Sequence, residues 1–129
     1  MEFREKQSIY IQIAEYVCEQ VLLKNWLPGN KILSIRDLAI AMEVTPNTIQ
    51  RTYDFLTQKQ IITNRRGVGY FIEDDGLERV LTFRKEQFIA NDLPVIFKNM
   101  YLLNLDAEEF KIKFEEFIKQ TFKDNNHET

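Results

Sequence analysis

The sequence predicts a mainly α fold with a small β wing, divided into residues 1–73 and a short all-helical region at 74–129. Three observations carry this. Two capped helices follow one another closely after residue 33, and a glycine-tipped hairpin with two adjacent arginines comes next. Beyond residue 73, apolar side chains recur at helical spacing.

The first helix is expected over 8–24, where Ile9, Ile13, Val17 and Val21 form one stripe flanked by Tyr10, Tyr16 and Leu22. Asn25 tolerates the left-handed conformation that ends helices, and Pro28-Gly29 is a turn signal. Residues 30–33 then lead, extended, into the second helix. Ser34-Ile-Arg-Asp37 has the Ser-x-x-Asp spacing of a helix start, in which the serine oxygen caps donors of the first turn. Leu38, Ala39 and Met42 make its apolar stripe. Thr45-Pro46 opens the third helix, with threonine as cap and proline at the first helical position, where no donor is missed.

In that helix, from 46 to about 58, Ile49, Thr52, Tyr53 and Leu56 share one side. At about 100° per residue, Asn47, Gln50, Arg51 and Asp54 fall on the other. Arg65-Arg66-Gly67-Val68-Gly69-Tyr70-Phe71-Ile72 reads as a turn and a strand. Helix, tight turn, helix and basic hairpin is the order of a winged helix-turn-helix, which sets its second helix in the DNA major groove. Amides and a guanidinium suit base edges and phosphates. The same face would also serve as plain solvated surface; the neighbouring hairpin tips the balance towards DNA. There, Arg65, Arg66 and Gly67 can reach phosphates or a minor groove. Arg36 lies near a helix N-terminus, where a cation opposes the macrodipole, so a role other than stabilising that helix is expected.

Glu73-Asp-Asp-Gly76 marks a boundary. A helix is expected over 77–90, carrying Leu77, Val80, Leu81 and Phe88, with a break or kink at Asp92-Leu-Pro94. Asp106-Ala-Glu-Glu109 is a capping box, followed by a face of Phe110, Phe114, Phe117, Ile118 and Thr121. Residues 123–129 are expected to fray. This region is too small for an independent ligand-binding core. Its Phe, Leu and Ile content exceeds what short helices bury among themselves, which predicts a homodimer through 77–122 using Leu81, Phe88, Phe110, Phe114 and Phe117. Packing of these aromatics on the N-terminal module alone is the other outcome.

The net charge of -3 is unevenly spread: residues 1–72 carry nine basic and seven acidic side chains, and residues 73–129 carry eight and thirteen. An acidic appendage on a mildly basic module fits DNA binding by one end only. The charged opening Met1-Glu-Phe-Arg-Glu-Lys and the lack of a long apolar run predict neither signal sequence nor membrane span, and hence a cytoplasmic protein. Cys18 is the lone cysteine and reads as a buried residue of the first helix, not a thiol sensor. His127 is the lone histidine, so no metal site is expected, and no cofactor. No nucleophile–base pair or phosphate-binding loop suggests an enzyme.

These motifs together resemble the GntR family of bacterial transcription regulators, in particular its small YtrA-like subgroup with a short C-terminal region. Ser8-Ile-Tyr10-Ile-Gln12-Ile13 resembles the family's opening Pro-Ile-Tyr-x-Gln-Ile. Leu27-Pro28-Gly29 with Ile32-Leu-Ser34-Ile-Arg36-Asp-Leu38-Ala39 resembles its Leu-x-Pro-Gly … Leu-Pro-Ser-x-Arg-x-Leu-Ala signature. Residues 44–56 resemble its recognition helix, and 65–72 its wing. The resemblance implies DNA contacts by Ser34, Arg36, Thr45, Asn47, Thr48, Gln50, Arg51 and the wing tip Arg65, Arg66 and Gly67. Ser8 and Leu33 stand where the family usually has proline, and Pro46 where some relatives carry arginine, so the base sequence read should differ. Gln60 replaces a common glycine, a strain of roughly 1 kcal/mol if the site is left-handed.

The functional expectation is a homodimeric repressor of double-stranded DNA at an inverted-repeat operator, released by a small-molecule effector in a second version of the same reading. A winged-helix protein-interaction module without a direct DNA role is the alternative from another class.

Overall fold

In the computed structural model, which describes residues 7–127 and side chains as far as Phe122, the order is α1 (Ile9–Leu22), α2 (Ile35–Met42), α3 (Pro46–Gln58), β1 (Ile62–Arg65), β2 (Gly69–Ile72) and α4 (Gly76–Gln87). A π-helical turn (Phe88–Asp92), α5 (Leu93–Leu102) and α6 (Ala107–His127) follow. The charged opening at 1–6, and the side chains of the segment expected to fray at 123–129, lie outside the described residues. The chain divides into two compact units, Met1–Glu86 and Gln87–Thr129.

The first unit is built around α3, which packs on both α1 and α2. Its buried face is Ile49, Thr52, Tyr53 and Leu56. Ile13, Ala14, Val17, Cys18 and Val21 of α1 meet it, with Leu38 and Ala39 of α2, Ile61, Ile62 and Ile72 of the hairpin and Val80 of α4 completing the core. Two polar groups on the α3 face enter this core because each finds a carbonyl. The Tyr53 hydroxyl donates to the Leu33 carbonyl at 2.7 Å, and the Thr52 hydroxyl lies 2.9 Å from the Tyr10 carbonyl and 3.1 Å from that of Thr48. Burial, reinforced by the neighbouring Tyr70, pushes ionisation of Tyr53 well above the usual tyrosine range.

β1 and β2 pair antiparallel, with Ile62 opposite Ile72 and Arg65 opposite Gly69. The segment at 30–32, read as merely extended, joins the other edge of β2: Lys31 bridges Phe71, and the Ile32 N–H donates to the Tyr70 carbonyl at 2.9 Å. The hairpin turns where the Val68 N–H donates to the Arg65 carbonyl at 2.8 Å, with Gly67 at φ 77. That is the left-handed position such turns reserve for glycine. Gly76 is needed for a different reason. A Cβ there would lie 2.6 Å from Ile72 Cγ2, so the boundary glycine seats the start of α4 against the hairpin.

Four helices end on left-handed residues, none of them glycine: Lys24, Glu43, Gln60 and Asn104. In each case the next N–H closes the helix by reaching back five residues, as Asn25 to Gln20 at 2.9 Å, Val44 to Ala39 at 3.0 Å, Ile61 to Leu56 at 3.0 Å and Leu105 to Met100 at 2.9 Å. The expected left-handed Asn25 is therefore displaced by one residue. Lys24 takes that conformation, and the Asn25 amide donates to Gln20 Oε1 at 3.0 Å instead.

In the second unit the break or kink expected at Asp92-Leu-Pro94 takes the form of a π turn between two α-helices. A π turn spans Phe88–Asp92 and Leu93 continues in helical geometry, so the donor missing from Pro94 is absorbed by wider backbone pairing. The Glu109 N–H donates to Asp106 Oδ1 at 2.8 Å, capping α6 as its sequence implied. From Gln87 to Phe122 no residue is buried.

Two outcomes follow from this packing. Gln60 at φ 63 carries left-handed strain of about 1–2 kcal/mol, partly offset by glycine's larger unfolded-state entropy, so Q60G should stabilise the fold by about 0.5–1 kcal/mol in urea denaturation at unchanged slope. Burial pushes the Cys18 thiol from 9.0 up to about 12, against a weaker opposing pull from Arg84. The folded chain thus holds this proton more tightly than the unfolded one, and stability should fall as pH rises from 9.0 towards about 12. At pH 8, Ellman's reagent should label Cys18 only at the rate of unfolding.

Candidate nucleic-acid interface

The start of α2 is held by Ser34, whose Oγ accepts the Asp37 N–H at 3.0 Å. Thr45 does the same for α3, accepting the Thr48 N–H at 3.3 Å, with the two threonine hydroxyls 3.0 Å apart. Accepting a cap bond leaves a serine its own O–H to donate, so Ser34 can both cap the start of α2 and offer a donor to an anion. Ser34, Arg36 and Thr45 are all exposed at these two helix starts. Backbone donors of first turns and exposed hydroxyls are groups that bind phosphate oxygens.

Burying Ile49, Thr52, Tyr53 and Leu56 turns the opposite side of α3 to solvent. Asn47 and Arg51 are exposed there, and Gln50 is half-buried. Gln50 Nε2 donates to Asp54 Oδ1 at 2.9 Å, which orients the amide along the helix. The Arg51 guanidinium lies over the Tyr10 ring, 4.3 Å from its centroid. Tyr10 belongs to α1, where it flanks the apolar stripe within the segment that resembles the family's opening motif. Its helical periodicity gave no sign that it would lie beneath an arginine of α3.

On the wing, Arg65 stacks above Phe71 at 4.1 Å from the ring centroid. Arg66 and Gly67 form the exposed tip. Lys31 is a further cation here: its Cε comes within 2.8 Å of where a Gly69 Cβ would stand. A lysine in an extended lead-in carries no pattern in sequence, and only the pairing of 30–32 with β2 places it on the wing. Among the described residues, the side chains of Arg36, Asn47 and Arg66 make no hydrogen bond or ion pair. The expected residues thus fall into three groups: the α2 start, the outward face of α3, and the wing. No hydrogen bond among the described residues links one group to another.

The residues assigned to self-association lie on other elements. Leu81 is exposed on α4, Phe88 in the π turn, and Phe110, Phe114 and Phe117 along α6. Among the described residues no three His, Cys, Asp or Glu side chains gather as metal ligands would, and no helix is long and apolar enough to cross a membrane.

Comparison with known proteins gives a consistent result. Residues 9–72 match the family described as bacterial regulatory proteins, gntR family. The chain is 36% identical over 108 residues to the uncharacterized HTH-type transcriptional regulator YhcF of Bacillus subtilis, covering 84% of this chain and 88% of that protein. It is 34% identical over 88 residues to the HTH-type transcriptional repressor YtrA of the same organism, covering 65% and 68%. A GntR family transcriptional regulator from Listeria monocytogenes superposes with a TM-score of 0.73 at 29% identity, covering 86% of this chain and 96% of that one.

Capping and exposure separate two substitutions by their effect on stability alone. S34A removes a cap acceptor and should cost about 1 kcal/mol, whereas N47A, exposed and unpartnered, should stay within about 0.5 kcal/mol of wild type. Chemical denaturation of both variants checks this, and equal losses would contradict it.

Proposed function

The chain belongs to the gntR family of bacterial regulatory proteins and is a transcriptional regulator, and from that premise we propose that it is a cytoplasmic homodimeric repressor that binds an inverted-repeat operator in double-stranded DNA. The observation that carries this reading is the outward face of α3, where Asn47, Gln50 and Arg51 stand opposite a fully buried apolar face. A recognition helix needs that combination: rigid backing on one side and hydrogen-bonding side chains on the other. Asn47, Thr48, Gln50 and Arg51 make base or near-base contacts in this reading. Ser34, Arg36, Thr45, Arg65, Arg66 and Gly67 hold the sugar-phosphate backbone.

Residues 1–73 then serve as the DNA-binding module and 74–129 as the dimerisation region. Supporting the dimer, Phe114 is 56% exposed, Phe117 57%, Leu103 77% and Tyr101 83% in the single chain, an unusual burden of exposed large apolar side chains. The two-fold would set half-sites about one helical turn apart. Repression is supported by the likeness to YtrA, which is named a repressor. A small-molecule effector would release the operator by preferring one dimer geometry, and can shift affinity only by that difference.

The test is fluorescence anisotropy on DNA from upstream of the protein's own coding region, with a scrambled duplex as control, across a salt series. Selective, salt-sensitive binding at two chains per site is expected. R51A should cost about 1–3 kcal/mol and relax specificity, while R66A should weaken all sequences alike and lower the salt slope by about one. Equal affinity for the upstream and scrambled duplexes would count against operator binding. One chain per site would remove the dimer.

A further inference from the structure

We propose that Tyr10 is a positioning residue for DNA recognition, its ring face holding the Arg51 guanidinium in place for the groove; the inference rests on the reading of Arg51 as a DNA contact. An exposed arginine on a helix samples many rotamers, and ordering it at the moment of binding opposes affinity. Here the guanidinium already lies 4.3 Å from the Tyr10 centroid. Such a contact draws on the arginine's charge and leaves its N–H donors available to bases and phosphates.

The platform is itself held from two directions. Its ring meets Phe55 edge-to-face at a centroid distance of 6.3 Å, and Phe55 meets Phe83 in the same way at 5.7 Å. Its carbonyl accepts the Thr52 hydroxyl at 2.9 Å. Thr52 is buried one position after Arg51, so the bond ties the start of α1 to the turn of α3 that carries the arginine. Arg36 and Arg66 lack any such support among the described residues, which suits a diffuse role on phosphates. Arg65 is also stacked on a ring, Phe71 at 4.1 Å, but it stands on the wing; Tyr10 gives such support to the arginine on the outward face of α3.

The experiment uses the full chain as wild type, Y10F, Y10L, R51A and the Y10L/R51A double variant. The probe is a duplex enriched by the wild type from a random-sequence pool, against a scrambled duplex, with thermal melting recorded for every variant. Y10F keeps the ring and should discriminate as wild type does. Y10L should lower the discrimination ratio about fivefold, and the double variant should be no worse than R51A. In the free wild-type protein, NMR should show the Arg51 side-chain protons shifted upfield by the ring, and still shifted in Y10F. Unshifted protons in the wild type would overturn the proposal whether or not Y10L folds. So would Y10L with an intact ratio beside a deficient R51A, or Y10F as defective as Y10L, which would assign the effect to the hydroxyl. An intact ratio in R51A would instead remove the reading of Arg51, and this inference with it.

Discussion

Burial of one face of α3 is the constraint on which the rest of the N-terminal unit depends. Ile49, Tyr53 and Leu56 are fully enclosed, and side chains of this size contribute about 1.5–3 kcal/mol each when taken from water. A helix is rigid about its axis, so fixing that face also fixes Asn47 and Arg51 as outward-facing. The two hydroxyls in the buried face do more than avoid an unpaired donor. Tyr53 binds the carbonyl of Leu33, immediately before the Ser34 cap, and Thr52 binds the carbonyl of Tyr10 at the start of α1. α3 is thereby tied to the beginnings of both helices it packs against.

The chain turns away sharply at the end of each of these helices, although residues 23–34 separate α1 from α2. Lys24, Glu43 and Gln60 adopt the left-handed conformation that reverses the chain within a residue or two. Glycine would take that conformation with less strain, and its absence leaves the unit with a modest destabilising term at each end. The compensation lies next to it: after Gln60, Ile61 and Ile62 are both buried, so the reversal delivers two core residues in succession. Backbone strain and side-chain burial are coupled at that corner.

The second unit follows a different logic. Its last helix is capped, with Asp106 accepting the Glu109 N–H, yet none of the unit's side chains up to Phe122 is buried. Local rules suffice to form such helices but not to hide Tyr101, Leu103, Phe114 and Phe117. The second unit carries eight acidic and five basic side chains, against twelve of each in the first, whose wing and α2 carry exposed cations. Attraction to a polyanion is thus confined to one end of the sequence.

Much of this was legible from residues close together in the chain. Caps at Ser34, Thr45 and Asp106, the buried set on α3 and the glycine turn of the wing depend on neighbours a few positions away, and helical spacing plus turn chemistry determined them. The left-handed site at Gln60 was marked by its departure from a family pattern. Lys24 carried no such mark, and the neighbouring asparagine drew the expectation instead. Asp92-Leu-Pro94 marked the interruption of the α-helix but not its π form, because a π turn is a backbone adjustment with no residue signature. Only tertiary structure decided that Tyr10 lies under Arg51, that Lys31 lies beside Gly69, and that 30–32 borders β2. Those contacts join residues distant in sequence, and their geometry arises from the packing of α1, α3 and the hairpin about one core, which no local periodicity encodes.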